Sequence, residues 1–195
     1  MELPSLVIKL FYALFKKKPK IIFLMGETGV GKDTVKEILQ NADFIEKHIA
    51  TPKMDKGKKD IWCGHYVQIC NTGGADMQSS HNNDTRRELI EWKKLGSEIY
   101  YVYVFDASVY FDESKHQQLV NERLESAKKF ATREGFELRI IGTHRDKAQK
   151  YEAKIDELMN ELRGKYGKCE IYDLTQAKTQ GKQMQQQLFD FIIKE

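Results

Sequence analysis

At 195 residues the chain has room for one domain with a short appendage, and for a single ordinary core. A hydrophobic fraction of 41% with a charged fraction of 31% describes a globular protein and excludes a disordered one. The formal net charge of +3 is too small to argue for nucleic acid, and no nucleic-acid partner is expected.

The lysines at Lys16–Lys18 and Lys20, and at Lys53, Lys56, Lys58 and Lys59, read as solvated faces or loops. Cys63, Cys70 and Cys169 form no disulfide framework; an odd count suits a reducing compartment, and a cytoplasmic location is expected. Cys63, His65 and Cys70 share one segment, but no second ligand pair follows at the spacing that structural zinc requires.

Residues 1–19 read as an amphipathic helix and a basic linker. Leu3, Leu6, Val7, Leu10, Phe11 and Leu14 recur at helical spacing, Pro4 stands near the start and Lys16–Lys18 complement the dipole at the end. The stripe falls short of the ~20 apolar residues that span a bilayer. Its charge follows the apolar stretch, so no signal peptide is expected, and Glu2 leaves no N-myristoylation site. Apolar stripe and lysines together suit peripheral attachment of residues 1–18 to an anionic membrane surface; packing of the stripe onto the following domain is the alternative.

Residues 20–195 alternate strand and helix. Ile21–Met25 is a short apolar run and Lys32–Leu39 a helix, whereas residues 43–59, with Pro52 and much charge, read as a loop holding at most a short strand. Ile61, Cys63, His65, Val67 and Ile69 alternate with polar neighbours, which predicts one strand. A polar loop over residues 72–83 leads to a helix containing Leu89, Ile90 and Trp92. Ile99–Phe105 reads as a strand, and Leu119, Val120, Leu124, Ala127 and Ala131 as a long helix. Phe136–Ile141 is a further strand ended by Gly142, Tyr151 to Leu162 a helical stripe and Glu170–Leu174 a last strand. Met184, Leu188, Phe191 and Ile192 mark a terminal helix on which Gln183–Gln187 read as surface. This order predicts an α/β domain with a largely parallel sheet covered on both faces.

Gly26-Glu27-Thr28-Gly29-Val30-Gly31-Lys32 follows a strand and opens a helix, the context in which a phosphate loop functions. Its glycines let backbone N–H groups point at phosphate oxygens, the helix start adds positive dipole, and Lys32 supplies a mobile ammonium. A glycine-rich strand-to-helix turn without a ligand is the bland alternative.

Further motifs follow in order. Asn71-Thr72-Gly73-Gly74 closes the third strand, Val104-Phe105-Asp106 the fourth, Thr143-His144-Arg145-Asp146 follows the Phe136–Ile141 strand, and Thr175-Gln176-Ala177-Lys178 the last. With these, the chain from about Lys20 resembles the Ras- and Arf-like small GTPases. The resemblance implies a three-layer P-loop NTPase G domain, a mostly parallel six-stranded sheet flanked by helices, over residues 20–195. It implies bound GTP or GDP, Mg²⁺, and protein effectors or regulators. Asp33 and Thr34 would complete the phosphate loop. Gly74 would belong to the Asp-x-x-Gly motif, Thr143, His144 and Asp146 to the guanine motif, and Gln176, Ala177 and Lys178 to the Ser-Ala-Lys loop. A carboxylate at Asp146 can accept from both N1–H and the exocyclic amine of guanine, donors that adenine does not pair; a helix N-cap is its competing role. His144 could lie flat against the base.

The chain departs from the family at the metal. Asp33 stands where the family carries Ser or Thr, and Asn71 where it carries Asp, as though a carboxylate had been exchanged between strand end and helix start. Asp33, Asn71 and Thr51, the candidate sensor of γ-phosphate, would surround Mg²⁺; a decayed metal site, and for Thr51 a turn before Pro52, are the alternatives. Ala75 replaces the water-orienting Gln, so hydrolysis would be slow, and Gln78 and His81 read as loop surface. The expected function is a GTP/GDP-binding switch. A nucleoside or nucleotide kinase, for which Arg86 and Arg87 make poor lid residues, and a pseudo-GTPase interaction module are the other readings.

Overall fold

The computed structural model of the chain describes residues 18–45, 54–73 and 81–194. The expected N-terminal helix, apart from the last positions of its linker, lies outside these, as do Thr51, Gly74, Ala75 and Gln78.

The elements are β1 (Lys20–Met25), α1 (Lys32–Asn41), β2 (Lys59–Trp62), β3 (His65–Asn71), α2 (His81–Lys94), β4 (Ile99–Asp106), α3 (Ala107–Asp112), α4 (Ser114–Glu134), β5 (Glu137–Thr143), α5 (Glu152–Tyr166), β6 (Lys168–Ile171) and α6 (Ala177–Ile193), with 3₁₀ turns at Gln149–Tyr151 and Leu174–Gln176. One six-stranded sheet runs β2-β3-β1-β4-β5-β6. The pairings β3–β1, β1–β4, β4–β5 and β5–β6 are parallel, and only β2 runs against its neighbour. The expected architecture of a mostly parallel sheet between helices is what the chain adopts.

The apolar runs of β1 and β4 are explained by burial on both faces, the pattern of a covered parallel sheet. Ile21, Phe23, Met25, Tyr101, Tyr103 and Phe105 face a core built with α2, α4 and α5. Ile22, Leu24, Tyr100, Val102 and Val104 face a second core built with α1 and α6. Since β1 pairs with β3 on one side and β4 on the other, its carboxyl end lies where successive connections leave in opposite directions. Open α/β sheets form crevices at such points.

Three local readings are corrected. The single strand expected through Ile61–Ile69 is a hairpin, broken at Cys63 (φ 48°) and Gly64 (φ 76°), with Trp62 paired to His65. A two-residue turn with both central φ positive suits the strand twist, and Gly64 was its visible signal. The strand expected over Glu170–Leu174 is β6, shifted toward the N-terminus; Leu174 instead starts a 3₁₀ turn whose Thr175 N–H is capped by Asp173. Gln185, expected as plain surface, donates to Leu39 O at 2.9 Å and so satisfies a carbonyl in the last turn of α1.

Cys63 packs on the α1/α6 side and Cys70 is buried in the opposite core, so the sheet separates them. Burial pushes the Cys70 and Cys169 thiols up to about 12, which leaves both inert. Among the described residues no group of three or more His, Cys, Asp and Glu side chains could hold a metal ion, and no helix is long and apolar enough to cross a membrane.

The contact between α1 and α6 is close. A Cβ at Gly181 would lie 1.7 Å from Ala42 O, where α1 ends with Ala42 at φ 56°. Gly181→Ala therefore forces the two helices apart, and a loss of about 1–3 kcal/mol is expected from urea denaturation at an unchanged m-value.

Candidate functional site

The connection from β1 to α1 is held by backbone approach. Gly26 sits at φ 146°, and a Cβ there would lie 2.1 Å from Val104 O, so no side chain fits between this loop and β4. Gly31 (φ 90°) is the N-cap of α1 and offers no side chain to its first N–H groups. Those donors are left for water or an anion, at the helix end whose dipole favours negative charge. Thr28 and Gly29 form the exposed tip of the loop, whereas Val30 is buried in the core on the α1 side.

Lys32, only 5% exposed, folds back over the loop and donates to Gly26 O at 2.9 Å and Glu27 O at 2.7 Å. Burial lowers its proton affinity, and the neighbouring carboxylates of Asp33 and Glu27 oppose that shift. Glu27 in turn faces Arg123 of α4 at 3.5 Å. Asp33, in the first turn of α1, accepts a hydrogen bond from the Asn71 side-chain amide at the end of β3. Asn71 is itself fixed: it exchanges two backbone hydrogen bonds with Asp55, whose carboxylate pairs with Lys36. The Asn71 Oδ1 is buried and has no hydrogen-bond partner among the described residues.

Beside this loop a pocket of about 310 Å³ opens at the carboxyl ends of the strands. Gly31 and Thr34 form one wall, shared with the start of α1. Thr143, His144, Asp146 and Lys147 come from the end of β5, Leu174, Thr175 and Lys178 from the segment after β6, and Phe44 and Ile45 from the segment after α1. Its size falls at the lower end of the range for small-molecule sites, ~300–1,000 Å³.

Thr143 joins pocket to loop. Its hydroxyl is wholly buried, 2.8 Å from Val30 O and 3.1 Å from Phe105 O, and its methyl group would stand 3.2 Å from a Cβ at Gly31. His144 follows at φ 57°, a left-handed conformation rare for a side chain of this size. Its Nδ1 lies 2.9 Å from Thr143 Oγ1 and 3.1 Å from Asp106 Oδ2, which fix the ring. Burial alone would raise the Asp106 carboxyl, but hydrogen bonds from His144 and Ser108 outweigh it and hold Asp106 at about 2.

Asp146 lines the pocket without capping anything. The N-cap of the following 3₁₀ turn is Ala148 and that of α5 is Tyr151. No hydrogen bond or ion pair to its carboxylate occurs among the described residues. The capping role that competed for this residue is not the one it plays.

The sequence matches no protein-family model and no curated protein. What the site can do is therefore read from its own chemistry. One end presents an uncapped helix N-terminus and an ammonium, suited to an anionic group. The other presents an unengaged carboxylate and an imidazole held by Asp106, suited to a planar group carrying hydrogen-bond donors.

Of the residues expected in the site, the structure brings together the Gly26–Lys32 loop, Asp33, Thr34, Asn71, Thr143, His144, Asp146 and Lys178. Gln176 and Ala177 do not line the pocket: Gln176 is exposed and donates to Asp173, and Ala177 is buried against the α1 side of the sheet. Leu174 and Thr175 stand at the wall in their place because the 3₁₀ turn winds the segment earlier than a strand would. Arg86 stacks over the Phe130 ring at 4.9 Å, and Arg87 faces Asp84 at 3.8 Å on the exposed face of α2. Arg87 is thus a surface charge of α2, whereas Arg86 packs against the core with its Nε buried, and neither lines the pocket.

Phe44, Asp106 and Arg123 were not singled out as site residues from sequence. Lys178 Nζ lies 4.9 Å above the Phe44 ring, closing one side of the pocket. No spacing in the sequence marks Phe44, whose place depends on where α1 ends. Asp106 could have been found as the acidic residue closing a buried strand.

Thr143→Val leaves the buried carbonyls of Val30 and Phe105 without that hydroxyl and is expected to cost about 1–3 kcal/mol in chemical denaturation. Thr143→Ser keeps the hydroxyl and should lose clearly less.

Proposed function

We propose that residues 20–195 form a guanine-nucleotide-binding domain of the small GTPase kind, a GTP/GDP switch with slow intrinsic hydrolysis. The observation that carries this reading is Asp146: a carboxylate with no internal partner among the described residues, in the pocket that also reaches Gly31 and Thr34 at the start of α1. One ligand can then place its base against Asp146 and its phosphates against the Gly26–Lys32 loop. The order of motifs along the chain and the strand order of the sheet agree with it.

In this reading the β- and γ-phosphates lie at the helix N-terminus and draw Lys32 Nζ away from the two carbonyls it holds. Guanine donates N1–H and its exocyclic amine to Asp146. Asp106 and Thr143 hold the His144 ring in the wall beside the base, and Phe44 with Lys178 bounds another side. The metal that such a domain implies fits the residues present. The Asp33 carboxylate meets the amide nitrogen of Asn71 at the strand end, and that carboxylate with the Asn71 Oδ1, which has no partner among the described residues, would be the protein oxygens offered to Mg²⁺. A bound Mg²⁺ supplies charge neutralisation at the phosphates. Ala75 offers no amide to orient water, which is why hydrolysis is proposed to be slow.

The kinase reading has less behind it, since Arg86 and Arg87 are engaged on α2 and at Phe130. Calorimetry separates the readings. GDP should bind and ADP should bind much more weakly. Asp146→Asn turns one acceptor into a donor facing the base's own donors, costing about 1–3 kcal/mol of GDP binding. Lys32→Ala should weaken GDP more than about tenfold. Equal affinity of the parent protein for ADP and GDP contradicts the guanine assignment.

A further inference from the structure

The loop between β1 and α1 sets a carboxylate close to its own lysine. Glu27 follows Gly26, and Lys32 Nζ donates to the Glu27 carbonyl oxygen at 2.7 Å. The Glu27 side chain is only 20% exposed, and its Oε1 is buried with no hydrogen-bond partner among the described residues. Tyr103 of β4, itself wholly buried, lies within electrostatic reach: burial raises its phenol, Glu27 raises it further and Arg123 opposes the rise. These charges therefore act on one another across the protein interior, where water screens them weakly.

A carboxylate so placed needs a cation, and two stand near it. One is Lys32: burial lowers its proton affinity, and the carboxylates of Asp33 and Glu27 oppose that shift. The other is Arg123, whose Nε lies 3.5 Å from Glu27 Oε1. Val120, Leu124 and Ala127 are the buried residues that seat this part of α4 on the sheet, and Arg123 stands among them at the edge of the stripe. The Glu27 side chain thus faces α4, while Lys32 hydrogen-bonds two carbonyls, Gly26 O and Glu27 O. The difference matters when an anion arrives. An ammonium that exchanges neutral carbonyls for phosphate gains, because charge-assisted hydrogen bonds are the stronger ones. An ammonium that had to desert a buried carboxylate would strand an unpaired charge, which is strongly unfavourable.

We infer that Arg123 is a positioning residue of the phosphate loop: by holding the Glu27 carboxylate toward α4, it keeps Lys32 available to the anionic end of a ligand. The inference rests on reading the loop and its pocket as a nucleotide site. Arg123 acts through Glu27 and touches no ligand. Without it the carboxylate takes Lys32, and the loop loses its cation where the β-phosphate is to lie. That loss is confined to ligands that reach Lys32, and it disappears when the carboxylate is removed as well.

The test is calorimetric titration of the full chain, in Mg²⁺, with GDP and with GMP, which has no β-phosphate. Arg123→Gln should weaken GDP about tenfold and GMP less than about twofold. Arg123→Lys keeps the charge and should weaken GDP by no more than about threefold. Glu27→Gln alone should tighten GDP about two- to threefold, since it removes a negative charge and leaves Arg123 in place. The double variant, Arg123→Gln with Glu27→Gln, should return to within about threefold of the parent, a rescue that a merely structural role for Arg123 does not produce. Equal losses of GDP and GMP binding, or a double variant as weak as Arg123→Gln, overturn the inference and leave the nucleotide reading standing. If circular dichroism shows Arg123→Gln to be unfolded, Glu27→Gln decides: tighter GDP binding supports the inference, and equal or weaker binding overturns it. A folded parent that does not bind GDP overturns the nucleotide reading itself, and this inference with it.

Discussion

The site depends on the hydroxyl of Thr143. It is wholly buried at the end of β5 and lies within hydrogen-bonding distance of Val30 O in the loop before α1 and of Phe105 O in β4. Through it the segment after β5 and the segment after β1, far apart in sequence, meet at a fixed separation. Gly31 permits the approach because the Thr143 methyl group already fills the space a Cβ would take. Gly26 does the same on the other side of the loop, against the Val104 carbonyl. Loop, pocket wall and sheet are thus held in contact around Thr143, so that the proposed ligand would find loop and pocket already side by side. Such preorganisation spares a ligand the entropy of assembling its own site.

Charge is distributed with the same economy. Asp106 is spent on orienting His144 and capping α3, Glu27 faces Arg123, and Asp33 is held by Asn71. Asp146 is the acidic residue of the pocket with none of these duties. That difference separates carboxylates engaged by the fold from one left open to the pocket, and spacing along the chain does not reveal it.

How much was legible follows from how local each feature is. The strand, the glycine loop and the helix from Lys20 to Asn41 are contiguous, so the pattern alone placed them correctly. The apolar runs of β1 and β4 implied a sheet covered on both faces, which the two cores on either side of it bear out. Less local features escaped. The hairpin at Cys63–Gly64 preserves alternation across its turn, so period two continued unbroken through what are two strands. The 3₁₀ turn at Leu174 moved the last pocket wall by a residue or two, exchanging Gln176 and Ala177 for Leu174 and Thr175. Phe44 and Gln185 depend on where α1 stops and on α6 crossing it, and neither is encoded nearby. The pairing of Asp33 with Asn71 lay between. Two unusual residues at two separate motifs suggested an exchange, and only the fold shows that they touch.

The claim that one guanine nucleotide spans loop and pocket is tested most directly by ¹⁵N-resolved NMR of the chain, titrated in Mg²⁺ with GDP and separately with ADP. GDP should shift the amides of Gly29, Gly31, Lys32 and Thr34 together with those of His144, Asp146 and Thr175, at one common saturation. ADP should leave His144, Asp146 and Thr175 in place at the same concentration. Shifts confined to the loop, or identical for the two nucleotides, would contradict the account, because the carboxylate of Asp146 would then have no part in recognising the base.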